Sequence, residues 1–434
     1  MLSILCYSIY LFFVVITFWD WRKGVILWGA WRLIFGSPNL CLRYYSPAMT
    51  LDFGMCLTML AIFLIKGKRP SYKGHFPYKS VFWIYFFSYT VSQIFSILPF
   101  TEGVLRYLKY FLQNFGFLYL FYLAIRDVRY FKLFLKHIII CGLIFSLYGI
   151  QEMFTHLNPL NDLVTNTVPP EILEGKTFFD NEMYNDTSRF GRFKIMSVFN
   201  IHIAYGIASV MVCYLVLIVQ ASLRKTIFLL SVLSLIVSAF ICTSKTSMLG
   251  AFSLALIFFN PKFLSKGKNV FGLLFVLVIL IPLASSYMTA IESLFNSKLA
   301  DDSGGSSVSG RMAQLDAALR LWMDSPFWGY GVGSGKYLAE KQPMIMGLES
   351  SVLRIGIERG LIGIISYMYL WISLYRYGLR HSSKLIVFSF VFTNLLMEFV
   401  TGEVDLILQG TIFMAVMRYS DFQRSNFEPN KTII

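Results

Sequence analysis

The sequence predicts an all-α, polytopic membrane protein of about 12 transmembrane helices with two large non-cytoplasmic loops. Three observations predict it. Of the 434 residues, 56% are hydrophobic and 14% charged, against roughly 25% charged in an average soluble domain. The apolar residues form continuous runs near the length a helix needs to cross a bilayer, about 20 residues. Those runs do not alternate in polarity, which excludes a β-barrel. A water-soluble enzyme, a disordered chain and a nucleic-acid binder are excluded as whole-chain readings, because no soluble fold covers so much apolar surface.

The spans are read at 1–18, 48–65, 79–98, 104–124, 137–154, 197–220, 226–242, 246–260, 269–289, 354–374, 385–400 and 406–418. The first begins apolar, with no basic leader and no cleavage motif, so it reads as a retained span. Residues 24–36 hold Arg32 and two tryptophans, and either lie in the interface or add a thirteenth span. Arg22 and Lys23 favour the extra span. The formal charge is +14, from 38 Lys and Arg against 24 Asp and Glu. The positive-inside rule accounts for it. Loop 66–79 carries Lys66, Lys68, Arg69, Lys73 and Lys79, and loop 125–136 carries Arg126, Arg129, Lys132 and Lys136. Further cations follow in alternate connections and in the tail, with both termini on the cytoplasmic side in the 12-span reading.

Five units result: membrane helices 1–154, a first large periplasmic loop 155–196, central helices 197–289, a second large loop 290–353, and C-terminal helices with a cytoplasmic tail, 354–434. None of the six cysteines lies in the long polar loops, and the five histidines are scattered. No disulfide framework, metal site or cofactor is therefore expected. Asp301–Gly310 reads as a hinge.

The second loop holds the most informative residues. Ser309 reads as an N-cap. Met312, Leu315, Leu319 and Trp322 then share one face, and Asp316 and Arg320 are spaced as an i,i+4 pair. This is an amphipathic helix against the membrane surface. Arg311 falls in its first turn, where a cation opposes the helix dipole. It either joins the backbone N–H groups in holding an anion or is a solvated surface arginine. The run from Pro326 to Gly335 looks like a dinucleotide fingerprint, but no βαβ unit surrounds it, so its glycines are read as turns with positive φ. Glu349 stands just before the next span, where a desolvated carboxylate can act as a general base or simply start a helix. Arg354 and Glu358 can pair at that helix start.

In the first loop, Arg189, Arg192 and Lys194 place three cations in six residues. They can hold a diphosphate or form a solvated cluster. Asp180 and Glu182 form a weak metal-type pair. Lys245 interrupts an apolar stretch at the same side, as a functional cation or a snorkelling one. Glu398, Glu403 and Asp405 gather near the last outer turn, as a helix-end feature or part of an acceptor pocket, and Asp52 in the second span is open in the same way. Arg189, Arg192, Lys245 and Arg311 together suit an anionic lipid headgroup, and diphosphate suits them better than carboxylate.

These residues resemble the O-antigen polymerase and O-antigen ligase superfamily. The resemblance rests on Ser309-Gly310-Arg311, Trp322, Pro326-Phe327-Trp328-Gly329-Tyr330-Gly331-Val332-Gly333 and Gly360-Leu361-Ile362-Gly363. It extends to the two loops, to Arg189 and Arg192 ahead of Asn200, and to Ser244-Lys245, where the family often has Ser-Arg. It implies a multi-pass enzyme of the bacterial inner membrane with its active site facing the periplasm. Glycan would move from an undecaprenyl diphosphate carrier to a sugar hydroxyl, and Arg311 with Arg189 or Arg192 would bind the donor diphosphate. The implied partners are undecaprenyl-diphosphate-linked glycans, membrane lipids and a chain-length regulator, with no nucleic acid. The ligase branch typically has His-Asn where this chain has Glu349-Ser350. That departure favours a Wzy-type polymerase, a metal-independent glycosyltransferase with Glu349 as catalytic base, over a ligase that loads lipid A-core. A flippase or transporter is the reading of another class.

Overall fold

The computed structural model describes residues 2–35, 50–67, 76–160, 162–163, 188–189, 192–199, 201–254, 308–345, 348, 350–401 and 404–424. The helices in chain order are α1 (Leu2–Trp19), α2 (Trp21–Phe35), α3 (Leu51–Lys66), α4 (Lys79–Ile94), α5 (Phe100–Tyr110), α6 (Phe117–Ile125) and α7 (Val128–Thr155). A π-helical turn, Phe111–Gly116, joins α5 to α6. A two-residue antiparallel ladder follows, β1 (Ser188–Arg189) against β2 (Arg192–Phe193). Then come α8 (His202–Ile218), α9 (Lys225–Ile241), α10 (Lys245–Ser253), α11 (Val308–Asp324), α12 (Gly335–Lys341), α13 (Ser351–His381), α14 (Lys384–Thr401) and α15 (Leu406–Arg424). The all-α expectation holds. Among the described residues, two helices, α7 and α13, are long and apolar enough to cross a membrane. The expected span 269–289 and residues 301–307 of the expected hinge lie outside the described residues, as do Asp180, Glu182 and Glu403; the hinge's last three residues, 308–310, are helical and open α11.

Local chemistry sets several boundaries. Asp127 starts α7 by accepting the Arg129 N–H at 2.9 Å. This draws Arg129, Lys132 and Lys136 into the helix, where the sequence placed a loop. Thr50 caps α3 through the Phe53 N–H at 3.2 Å. Of residues 24–36, undecided between the interface and a thirteenth span, 24–35 fall in the helix Trp21–Phe35, with residues 24–30 all buried. Helix α2 runs back along α1, with Gly24 so close to Thr17 that a Cβ would lie 2.1 Å from its hydroxyl. It packs further on α6 and α7, and also touches α3 and α15.

The bundle is apolar outside and charged inside. Trp19, Ile65 and Phe100 are each more than 80% exposed. By contrast Asp52, Arg359 and Glu398 are each 4% exposed and Glu152 is fully buried. Lipid-facing side chains on the rim and paired ionisable groups within are what a bilayer solvent selects.

The two ends of the bundle differ. At one end cations meet: Arg22 lies 3.8 Å from Asp127, Lys66 donates to the Phe18 carbonyl, Arg418 to that of Arg126 and Arg424 to that of Arg380. At the other end gather the C-termini of α2, α4 and α14 and the N-termini of α3, α13 and α15. That second end contains a cleft.

Candidate functional site

The cleft exists because α13 breaks. Gly360 has φ +61 and ψ −156 inside the helix, a conformation open essentially to glycine alone. A break frees helical carbonyls and N–H groups, which must find partners. The segment 326–331 supplies them. Tyr330 and Gly331 donate N–H groups to the carbonyls of Ile357 and Glu358, both at 2.9 Å, and the Pro326 carbonyl accepts the Leu361 N–H at 2.8 Å. Ser92 on α4 donates to the Glu358 carbonyl at 2.6 Å. Gly329, Gly331 and Gly333 have φ of +70, +95 and +83, so the glycine-rich run forms turns of positive φ, as expected from sequence.

Helices α4 and α5 grip the far side of this clasp. Ile97 donates its N–H to the Tyr330 carbonyl at 3.0 Å, and Phe95 stacks on Trp328. Arg106 donates to the Gly333 carbonyl at 3.2 Å and to Glu102. The Tyr337 hydroxyl donates to Glu102 at 2.7 Å, and that bond raises its pKa above the ordinary tyrosine value. Tyr330 is raised as well, by burial and then by the charge of Asp324.

Against this scaffold, α13, α14 and α15 enclose about 620 Å³ of empty space, counting its open mouth. Its polar lining comprises Ser351, Arg354, Glu358, Arg359, Glu398 and Gln409, with Tyr85, Tyr89 and Tyr110 along one wall. Arg359 is held by rings: its guanidinium carbon lies 4.4 Å from the Tyr89 centroid and 5.2 Å from that of Tyr85. Tyr89 in turn stacks on Tyr110 at 4.5 Å. Glu398 accepts from the Tyr367 hydroxyl and from Gln409 Nε2 at 2.5 Å. Arg354 does not form the expected ion pair with Glu358; its guanidinium reaches the Leu348 carbonyl at 3.4 Å.

Next to the cleft lies a buried charge network. Arg32 donates twice to Asp52, at 3.2 and 2.6 Å, and also to Asp405. Trp28 and Gln113 complete the Asp52 shell at 2.9 and 2.7 Å. Gln113 sits in the π-helical turn, a distortion frequent at functional sites. This places Asp52, undecided from sequence, in a bridge between α2, α3 and the start of α15.

The predicted site residues are located as follows. Lys245 is half-buried and opens α10. Helix α10 runs antiparallel to α14, with Ser253 bonded to Thr393 at 2.7 Å and Gly250 against Met397, so Lys245 lies at the cleft end. Arg311 falls in the first turn of α11, which starts at Val308. Ser309 is therefore inside that turn and is not its N-cap. Ala317 and Ala318 face the protein, whereas Met312 and Leu319 are exposed; Asp316 and Arg320 pair at 2.7 Å. Residues 189 and 192 stand opposite each other on the ladder. The chain that follows is pinned by Glu152 on α7, which accepts the Ser197 N–H at 2.6 Å and the Met196 N–H at 3.3 Å. Glu349 lies outside the described residues.

Sequence reading passed over Arg359 and Glu152, although both fall within expected spans. An ionisable residue within a span is a functional candidate by default, and that signal was available for each.

Residues 230–368 match the family model described as O-antigen ligase. The matched segment contains Lys245, α11 with Arg311, the glycine clasp, Arg354 and Arg359; Arg189, Arg192, Asp52 and Glu398 fall outside it. A search of curated proteins finds no match. The family is one of membrane proteins with O-antigen polymerase or ligase activity. Over that segment, which carries the glycine clasp and the buried Arg359, the chain is similar to the O-antigen polymerase and ligase superfamily.

Proposed function

We propose that the protein polymerises undecaprenyl-diphosphate-linked oligosaccharide repeat units into O-antigen or a related surface polysaccharide. The reaction would occur at the periplasmic face of the bacterial inner membrane. The observation that supports this reading is the family match over residues 230–368, a segment that contains Lys245, Arg311 and, of the cleft residues, Ser351, Arg354, Glu358 and Arg359. In the reaction, an acceptor hydroxyl gives its proton to Glu349 and its oxygen bonds to the anomeric carbon of the donor. The bond from that carbon to the diphosphate breaks, and undecaprenyl diphosphate leaves. Arg311, Arg189, Arg192 and Lys245 would bind the departing diphosphate, where stabilising developing charge contributes most to such a reaction. The glycosyl-diphosphate bond is itself activated, so no nucleotide is consumed.

The wider topology belongs to the same proposal: about 12 spans, with 155–196 and 290–353 as periplasmic loops and a chain-length regulator as partner. Glu349-Ser350, in place of the ligase-type His-Asn, favours polymerase over ligase. A glycolipid ladder gel from a deletion strain tests this. Lipid A-core carrying one repeat unit in the deletion, with the ladder restored by the wild-type gene, is the expected result. Lipid A-core without any repeat unit would establish ligase or flippase activity instead.

A further inference from the structure

Arg359 has an unusual position for a cation. It is 4% exposed, and its Nη1 is buried with no hydrogen-bond partner among the described residues. Tyr85 and Tyr89 pack against its guanidinium, and Nη1 remains as a donor without a partner among the described residues. In buried sites such donors are almost always satisfied. Ser351, on the same cleft-lining stripe, likewise has a buried hydroxyl without a partner among the described residues. The stripe runs from Ser351 through Arg354 to Arg359, roughly 12 Å along α13 at 1.5 Å per residue. The cleft is thus a slot with Ser351 at its outer end and Arg359 deep within it.

The charge of the lining selects the class of ligand. Two cations, Arg354 and Arg359, face two carboxylates, Glu358 and Glu398, so the polar wall is neutral in sum. A diphosphate would meet both carboxylates at close range, and like charges in a desolvated cleft repel strongly. A single carboxylate on a polyhydroxylated ring fits better. Its charge pairs with Nη1 of Arg359, and its hydroxyls bond to Glu358, Gln409 and Ser351. Tyr85, Tyr89 and Tyr110 supply the aromatic wall.

We propose that this cleft is a specificity subsite for a carboxylate-bearing sugar, of the uronic acid class, at the end of the glycan being joined, with Arg359 as its ion-pair partner. This rests on the glycan-transfer reading for its biological meaning, but its test does not require turnover. Full-length protein in lipid nanodiscs is titrated with a glucuronic-acid-terminated oligosaccharide and with the glucose-terminated equivalent. Inorganic pyrophosphate is used as competitor. The expected result is binding of the acidic sugar at least ~10-fold tighter than the neutral one, undisturbed by pyrophosphate. That preference is expected to vanish in Arg359→Gln and to return in part in Arg359→Lys. Equal binding of the two sugars, or no binding of either, overturns the proposal. Displacement by pyrophosphate also overturns it and makes the cleft a diphosphate site. The comparison of sugars uses wild-type protein, so it stands even if Arg359→Gln fails to fold. Acidic-sugar preference in a protein whose deletion leaves no single-repeat glycolipid would keep the subsite and remove the polymerase reading.

Discussion

Gly329 and Gly360 interlock across the break in α13, each filling the space the other's neighbours leave. A Cβ on Gly329 would lie 2.4 Å from the backbone of Glu358 and Arg359, and one on Gly360 would lie 2.4 Å from that of Phe327. Both residues also have positive φ. Strain of this kind costs on the order of 1–3 kcal/mol per residue, before the clash is counted. Gly329→Ala and Gly360→Ala are therefore expected to lower the melting temperature of the purified protein and to abolish polymer. Gly335→Ala, where the nearest atom is 3.8 Å away, is expected to do neither. Thermal unfolding of the three variants checks this, and a wild-type melt for Gly360→Ala would remove the clasp as a structural element.

The Arg32–Asp52 pair has side chains 10% and 6% exposed. Breaking a buried pair from one side leaves an uncompensated charge and costs about 3–5 kcal/mol. Arg32→Met or Asp52→Leu alone is expected to reduce the amount of folded protein sharply. The double variant is expected to recover part of that loss, because it removes both charges together. A double-mutant cycle in thermal stability reads the coupling; strict additivity would show that the network contributes nothing as a unit.

The fold was legible where one helix decides its own boundaries. Lys79–Ile94 and Lys384–Thr401 fall within a few residues of the apolar runs at 79–98 and 385–400. It was less legible where capping overrides composition. The helix α7 starts nine residues ahead of the apolar run at 137, because Asp127 caps it and its first turns bury Tyr130, Phe131, Phe134 and Leu135 between the cations. The site was harder to read. Positive φ at Gly329, Gly331 and Gly333 followed from the glycine spacing alone. That the same turns satisfy the carbonyls of Ile357 and Glu358 did not, since nothing in the local pattern of α13 announces a break. Arg359 over Tyr89 joins residues 270 positions apart in the chain, and hydrophobic periodicity holds no signal for such a pair.

Glu152 fixes the chain just after the ladder. Its carboxylate accepts two backbone N–H groups, while Asn158 donates to the Ser197 carbonyl at 2.8 Å. Glu152→Ala would leave those N–H groups unpaired, at about 1–3 kcal/mol each. The expected outcome is faster amide exchange at Met196 and Ser197. A raised KM for lipid-linked donor with a smaller change in kcat is expected alongside, because the backbone ladder at 189 and 192 leads directly into this segment. Unchanged exchange at those two amides would refute the pinning role.

Arg311 tests the diphosphate assignment. In the first turn of α11 a cation is unfavourable for the helix alone, so Arg311→Ala is expected to leave the melting temperature unchanged or slightly raised. Activity is expected to fall by about 100-fold or more, the scale on which a preorganised donor to a leaving oxyanion acts. Arg311→Lys should retain part of it, since an ammonium keeps the charge but loses the bidentate geometry. Full ladders from Arg311→Ala at matched expression would exclude it from the reaction.

Glu349 tests the base. A carboxylate that takes the acceptor proton must be ionised when acceptor binds, so activity is expected to rise with pH through its pKa and then level off. Glu349→Gln is isosteric and cannot accept the proton. It is expected to reduce the single-turnover rate by about 100-fold or more, within the range general bases contribute, while donor binding stays at the wild-type level. The rising limb of the pH profile should disappear with it. A Glu349→Gln protein that extends lipid-linked glycan at the wild-type rate, with the same pH profile, would move the base elsewhere. Glu358, which lines the cleft, is then the next carboxylate to substitute.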